Sequence, residues 1–339
     1  MYKREYLTTL CFAALLGLVG LMYFGEIASS QPDRGEPGVQ RLAAAPDSER
    51  EAVLGLNAHI LTDVPIRQIQ ALGITHVRTT ILWPRWVKND LAYRAAVSEM
   101  IARTDAAGIK LTVVLHNYPG NAPVFKSGVN RRMMSDFAAW AAEMAGTFPS
   151  VEAWQLWNEQ DVWWQAPFGA SDGAPYRERG RLYADQLVLA YPLIKRANPR
   201  ALVVSGGTAD YHERGHLEFL RGMLEKAPPV DAIAVHTYGP WQVAAPKIRE
   251  VRRVVGDHAP LWVTESGVDA ADDRQHEAGI RSIVEGNEAE RLAERIYLYA
   301  LDAGEGAGLG LVRGGRPRRS YEWLRNARAG AATQPSRPE

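Results

Sequence analysis

From residue 52 onward the chain alternates short, nearly unbroken apolar runs with longer stretches whose apolar positions recur every three or four residues. The runs are AVLGLN (52–57), THVRTTIL (75–82), KLTVVLH (110–116), VEAWQLW (151–157), ALVVSG (201–206), AIAVH (232–236), PLWVTE (260–265) and IYLYAL (296–301). Apolar runs of this length, with little polar alternation, suit strands covered on both faces. Residues 65–72, 91–107, 133–147, 181–198, 217–226, 247–255 and 288–295 have helix-forming composition, and 321–327 supplies a last short helix. Eight strand-then-helix units predict a parallel sheet with helical crossovers. Their number and span, residues 52–327, predict an α/β fold of the (β/α)8 TIM-barrel type. The rival, a doubly wound open sheet, usually carries a Gly-rich first turn. Here the first strand ends in Asn57-Ala58-His59 with no G-x-G-x-x-G.

The segment before the barrel has a different pattern. Lys3 and Arg4, in a short n-region of residues 1–5, precede an uncharged run over residues 6–25. Twenty residues at about 1.5 Å rise each reach across a hydrocarbon core of roughly 30 Å. The run predicts a transmembrane anchor, with a signal peptide cleaved near Ala28-Ser29-Ser30 as the alternative. The preceding basic residues keep that end in the cytoplasm. The barrel is therefore expected outside, held at the inner membrane and facing the periplasm or exterior, or secreted after cleavage. Residues 26–51 read as a linker rich in Pro, Gly, Ala and charge, and 328–339 as a loose tail.

Composition narrows the class further. The 339 residues carry 39 Lys and Arg against 39 Asp and Glu, so no basic surplus is present to neutralise a phosphate backbone, and a nucleic-acid partner is not expected. The single cysteine, Cys11, lies in the apolar run, so the barrel is expected to have neither an internal disulfide nor a zinc–thiolate site. Ten Trp and thirteen Tyr against seven Phe favour flat side chains with a polar edge, which suit a wet stacking surface. Trp154 and Trp262, inside strands, read as core. Trp163, Trp164 and Trp241, in loops after strands, read as faces for a sugar ring.

In a barrel, chemistry gathers at the C-terminal ends of the strands. The second strand carries Arg78, and the ends of others carry His116-Asn117-Tyr118, Trp157-Asn158-Glu159, His236-Thr237-Tyr238 and Thr264-Glu265-Ser266-Gly267. Glu159 and Glu265 each end an apolar strand, where an unpartnered carboxylate would be costly. Placed on strands four and seven, they face one another across the mouth of the barrel. Taken singly, each also reads as a solvated loop acid or a partner for Arg78. His59, His116 and His236 lack a close-spaced ligand pattern, so neither metal nor cofactor is expected.

With W-N-E at 157–159 and T-E-S-G at 264–267, the chain resembles clan A of the glycoside hydrolases, closest to family 39 and family 5 types. L-G-I-T-H-V-R (72–78), L-H-N-Y-P (115–119) and V-H-T-Y-G (235–239) add to the likeness. The resemblance implies retaining hydrolysis of β-glycosidic bonds, with Glu159 as acid/base and Glu265 as nucleophile. It implies that Arg78 and Tyr238 assist Glu265, that Asn158 binds the sugar 2-hydroxyl, and that His116 and His236 bind hydroxyls or orient the glutamates. Relatives anchored in this way process exopolysaccharides. The implied substrate is thus an oligo- or polysaccharide, and the implied neighbour an exopolysaccharide export apparatus.

The pattern departs from the family at strand eight. The family places an aromatic near its end, whereas Leu301-Asp302-Ala303-Gly304-Glu305 has none, leaving Tyr297 or Tyr299 to compensate. An exo-acting enzyme such as a xylosidase and a catalytically weak glycan-binding pseudoenzyme stay open as alternatives.

Overall fold

The computed structural model describes residues 52–59, 62–116, 131–162, 174–209, 215–304 and 308–332. Its elements follow in chain order as β1 (Val53–Asn57), α1 (Asp63–Ala71), β2 (His76–Leu82), α2 (Trp83–Val87), α3 (Leu91–Ala106), β3 (Lys110–His116), α4 (Arg131–Thr147), β4 (Ala153–Asn158), α5 (Tyr176–Ala197), β5 (Leu202–Gly207), α6 (Gly215–Leu224), β6 (Ile233–Tyr238), α7 (Trp241–Val255), β7 (Leu261–Gly267), α8 (Asp273–Glu290) and β8 (Arg295–Leu298). A small hairpin of β9 (Val312–Arg313) and β10 (Arg316–Pro317) leads into α9 (Arg319–Ala332).

β1 to β8 form one eight-stranded sheet in the order β5-β4-β3-β2-β1-β8-β7-β6, with parallel pairing throughout. Its two edges meet. Asp231 N donates to Val203 O at 2.8 Å, Ser205 N to Ala232 O at 3.0 Å and His236 N to Thr208 O at 2.9 Å. Parallel bridges pair Val204 with Ala232 and Thr208 with Val235, so the sheet closes into a (β/α)8 barrel. Closure leaves the eight-stranded sheet without an edge among the described residues.

The apolar runs are explained by burial on two sides. Leu111, Val113 and Leu115 of β3, with Trp154 and Leu156 of β4, pack outward in the large cluster that includes Phe137, Ala141 and Met144 of α4. Ala153, Val204, Ala232, Ala234, Trp262 and Tyr297 form a separate cluster that fills the barrel's interior. Tyr297 reaches across that interior to hydrogen-bond Thr112 Oγ1 at 2.8 Å. Its ring lies on the bare backbone of Gly55, where an added Cβ would sit 2.4 Å from Tyr297 Cδ1. Only glycine lets β1 pass so close to the plug.

Helix ends follow the local sequence. Asp90 caps α3 by accepting from Tyr93 N at 3.0 Å, and Asp272 caps α8 by accepting from the Arg274 and Gln275 amides. The expectation of a helix over 288–295 is corrected: α8 covers Asp273–Glu290 and ends at the left-handed Arg291, φ 50°. Its buried face, His276, Gly279, Ile280, Ile283, Val284 and Asn287, includes polar residues and glycine that dilute the apolar period. β8 consequently has a connection before it and is shorter than expected, ending at Leu298. α7 begins six residues before its expected start at 247, because Pro246 sits inside the helix rather than ahead of it. α9 continues to Ala332, beyond the expected end at 327.

Among the described residues no helix is long and apolar enough to cross a membrane. The run 6–25, the linker 26–51 and the end of the tail lie outside the described residues.

Candidate active site

Arg78 rises from β2 into the centre of the ring with only 4% of its surface exposed, so each of its N–H groups needs an acceptor. Nε donates to Gln155 Oε1 at 2.7 Å, and Nη1 to Asn57 Oδ1 at 2.8 Å and to Glu265 Oε1 at 2.7 Å. Nη2 donates to Asn158 Oδ1 at 2.6 Å. One guanidinium thereby fixes residues from β1, β4 and β7. Asn57 carries the connection onward, donating from Nδ2 to Thr264 O at 3.0 Å and Leu298 O at 3.3 Å.

Glu265 sits in β7, buried, with its second oxygen taken by Tyr238 OH at 2.6 Å. Burial alone would raise its carboxyl. The neighbouring His236 and the Arg78 charge, with the hydrogen bonds from Tyr238 and Arg78, outweigh that and hold it below the usual carboxylate range. Glu265 is thus an anion before any ligand arrives. Tyr238, buried beside that anion, is pushed well above the usual phenol range, so it stays a donor.

Glu159 follows β4 in a left-handed backbone conformation, φ 47°, two residues after Trp157 at φ 79°. Neither geometry is favoured for a residue with a Cβ, and such strain concentrates at functional sites. His236 Nδ1 lies 3.0 Å from Glu159 Oε1, and its Nε2 lies 3.6 Å from Glu265 Oε1. The imidazole is fully buried and stands directly over Gly207 of β5, where a Cβ would fall 2.2 Å from Nε2. Glu159, His236 and Glu265 each contribute one polar atom to a set lying within 4.8 Å of one another. A cation could bridge such a set, but Arg78, Tyr238 and His236 already hold carboxylate oxygens in it.

His116, at the end of β3, meets Trp157 edge-on with ring centroids 5.3 Å apart. Burial, then the nearby Arg78, lowers its imidazole to about 3, so it is neutral in the fold.

The structure thus brings together Arg78, His116, Asn158, Glu159, His236, Tyr238 and Glu265. Trp241 is not among them. Its indole is 6% exposed at the start of α7 and donates from Nε1 to Glu290 Oε1 of α8 at 2.8 Å. The expectation of a sugar-stacking face there is replaced by helix packing, because an acceptor on the neighbouring helix draws the indole N–H inward. Trp163 and Trp164 lie outside the described residues.

Some residues of the site carry roles that the sequence pattern does not assign. Asn57 ends β1, and Gln155 is a polar residue on the inward face of β4; strand-end position and period-two alternation both mark them. Tyr299, one of the two aromatics expected to compensate at strand eight, follows directly after β8. Its hydroxyl lies 3.1 Å from His59 Nε2, and its ring is edge-on to Tyr238. The shorter β8 places this aromatic at the strand's end, where the expected register has Leu301-Asp302. Asp161, two residues after Glu159, is buried with no sequence signal beyond its neighbourhood.

Against known proteins, the family model described as cellulase (glycosyl hydrolase family 5) matches residues 53–293, well over half of the chain. A comparison with curated protein sequences yields no match. Among solved structures, the fold is similar to β-glycosidase BGL167, with 18% identity over 81% of this chain and 87% of the other and a TM-score of 0.61. It is also similar to an endo-1,4-β-D-mannanase from Thermotoga petrophila RKU-1, at 14% identity over 81% and 99% of the two chains, TM-score 0.57. A GH39 β-xylosidase from Caulobacter crescentus aligns at 17% identity over 85% and 73%, TM-score 0.58.

Proposed function

The chain belongs to glycosyl hydrolase family 5 and is a glycoside hydrolase of clan A, and on that premise we propose that it is a retaining β-glycosidase acting on an exported or cell-surface polysaccharide. Glu265 is the nucleophile and Glu159 the acid/base. The observation that carries this reading is the approach of a Glu159 oxygen to within 4.8 Å of a Glu265 oxygen, with Arg78 and Tyr238 both assigned to Glu265. Retaining enzymes keep their carboxyl groups about 5–5.5 Å apart, while inverting enzymes leave roughly 6.5–9.5 Å for a water.

In the first step Glu265 Oε attacks the anomeric carbon while the glycosidic oxygen leaves with the proton of Glu159, producing a glycosyl ester. In the second step Glu159 takes a proton from water, the hydroxide oxygen bonds to the anomeric carbon, and Glu265 departs as carboxylate. Arg78 and Tyr238 hold Glu265 ionised and aimed. With Oδ1 bound to Arg78, Asn158 keeps its amide N–H groups for the sugar's 2-hydroxyl, a contact that strengthens as charge develops at the anomeric carbon. His236 orients Glu159, and His116 serves a hydroxyl as a neutral imidazole. Tyr299 stands in for the aromatic at the end of strand eight, and Trp163 and Trp164 stack on neighbouring sugars.

The substrate class rests on the apolar run 6–25 behind Lys3 and Arg4. An enzyme held at, or released from, the outer face of the inner membrane meets a polymer as it is exported, with the export apparatus as its neighbour. The test is hydrolysis of a panel of β-glycans and extracted exopolysaccharide by the full chain, with products sized by mass. Glu159→Gln and Glu265→Gln are expected to abolish products while leaving glycan binding intact. Retention is read from the anomer formed first, by NMR. Full activity in Glu265→Gln, or an inverted first product, overturns the reading.

A further inference from the structure

The acid/base glutamate lies on a loop that is sewn to the neighbouring strand. Glu159 N donates to Gly207 O at 2.8 Å, and Gln160 Nε2 donates to Gly206 O at 2.9 Å. Asp161 Oδ1 accepts from Ala209 N at 2.9 Å, just past the end of β5. From the other side, Arg179 of α5 donates from Nη1 to Asp161 O at 2.6 Å. Three successive residues after β4 are therefore pinned, and the one bearing the proton-transfer group has a left-handed backbone that gains nothing from local propensity.

Gln160 and Asp161 are 1% and 2% exposed, so neither can be a solvated loop residue. A buried carboxyl in this position is not what a purely structural clamp requires. An asparagine would accept the Ala209 amide equally well, without the cost of burying an ionisable group. A carboxyl instead of an amide points to a use for its charge.

We propose that Asp161 is a positioning residue for Glu159, whose carboxyl also sets the alkaline edge of the pH–activity profile. The proposal rests on the assignment of Glu159 as acid/base. The titratable and charged groups facing Asp161 among the described residues are Glu159 on its own loop, His236 on β6 and Arg179 on α5. Arg179 is bound to the backbone carbonyl, not to the carboxylate. Burial pushes the Asp161 carboxyl up to about 7 against the hydrogen bond from Ala209, with the negative charge of Glu159 adding to the rise and His236 opposing it. Asp161 is then neutral in mild acid and anionic in mild base. Once anionic, it sets a like charge two residues from Glu159 on the same pinned loop.

The experiment compares Asp161→Asn and Asp161→Ala with the wild type across pH 4.5–9.5, measuring kcat, KM and Tm, with Glu159→Gln alongside. Asp161→Asn preserves the acceptor and removes the charge. Its kcat/KM is expected to match the wild type near pH 5, and its alkaline limb to move to lower pH by roughly one unit. Its Tm at pH 8 is not lowered, because the unfavourable buried anion is gone. Asp161→Ala frees the Ala209 amide and loosens the loop, so kcat falls about tenfold at every pH with KM little changed. The proposal is overturned if Asp161→Asn overlays the wild-type profile while Glu159→Gln is inactive. It is equally overturned if both Asp161 variants lose activity only in proportion to a loss of Tm. A Glu159→Gln enzyme with wild-type turnover removes the acid/base assignment itself, which distinguishes that failure from the other two.

Discussion

The barrel holds an arginine–glutamate pair built on a buried arginine at each end, and the two pairs are built differently. At the C-terminal end Arg78 divides its hydrogen bonds among Gln155, Asn57, Glu265 and Asn158, giving Glu265 only Nη1. At the N-terminal end Arg295 grips Glu152 with two nitrogens, Nη1 to Oε2 at 2.7 Å and Nη2 to Oε1 at 3.2 Å. Its guanidinium also stacks on Trp262, 4.0 Å from the ring centroid. In the lower pair a fork satisfies a carboxylate and an aromatic face covers the charge. The upper pair is shared out, and its carboxylate stands beside a second one. Tyr297, between them, separates the two ends. An arginine that completes its glutamate serves stability, and one that distributes itself around a glutamate holds a reactive group in place.

The same substitution at both arginines tests that contrast most severely. Lysine keeps the charge but cannot reproduce a planar fork of donors. Arg78→Lys is expected to lower kcat by about 10²- to 10³-fold, the range for losing preorganised donors in an active site, with a small change in Tm. Arg295→Lys is expected to leave kcat/KM within about twofold and to cost roughly 1–3 kcal/mol of stability, read by urea denaturation. Reversed outcomes, with catalysis lost from the lower pair and stability from the upper, would erase the distinction.

Two tyrosines offer a finer version. Tyr238 donates to Glu265 at 2.6 Å, and Tyr297 shares a hydrogen bond with Thr112 at 2.8 Å. Tyr238→Phe removes a donor from an anion and is expected to reduce kcat by about tenfold to a hundredfold. It also moves the acid limb of the pH profile upward, since a support of the Glu265 anion is lost. Tyr297→Phe removes a hydroxyl that Thr112 and Arg295 share inside the plug and is expected to cost roughly 1–3 kcal/mol in Tm-derived stability with unchanged turnover.

The lower, structural half of the molecule is easier to read in the sequence than the upper. Strands such as LTVVL are buried on both faces, so their hydrophobic runs are unmistakable, and the pattern places all eight, overrunning only the end of β8 by three residues. The carboxylates and Arg78 are legible because a charged group within or closing an apolar strand is costly to bury unless partners hold it there. Four features are not legible. α8 carries His276, Gly279 and Asn287 on its buried face, and these interrupt its period. Trp241 follows a strand, as a sugar platform would, yet its indole N–H finds Glu290 on the neighbouring helix. Tyr299 is hidden by a three-residue overrun in the expected end of β8. Asp161 is buried by contacts with β5 and α5 that no local pattern announces.

The smallest expected effect concerns two histidines, each denied its proton by the end it occupies. Burial, then Arg78, lowers His116 to about 3, and burial, then Arg295, lowers His76 to about 4, against an ordinary value of 6.5. Both are neutral in the fold at pH 6, whereas the unfolded chain begins to protonate them near pH 6.5. A depressed folded value means that the unfolded state binds protons first as pH falls. The stability these histidines contribute is therefore complete above about pH 6.5 and is lost progressively as pH drops toward 4. Each contributes a slope of up to about 1.4 kcal/mol per pH unit within that window. His76→Gln is expected to flatten the stability–pH curve between pH 6 and 4.5 by that amount and to leave kcat unaltered. His116→Gln is expected to flatten it comparably and to lower kcat as well, because its ring stands among the groups that meet the sugar. If both variants flatten the curve and neither touches turnover, His116 belongs with the lower, structural set and the substrate contact assigned to it is wrong.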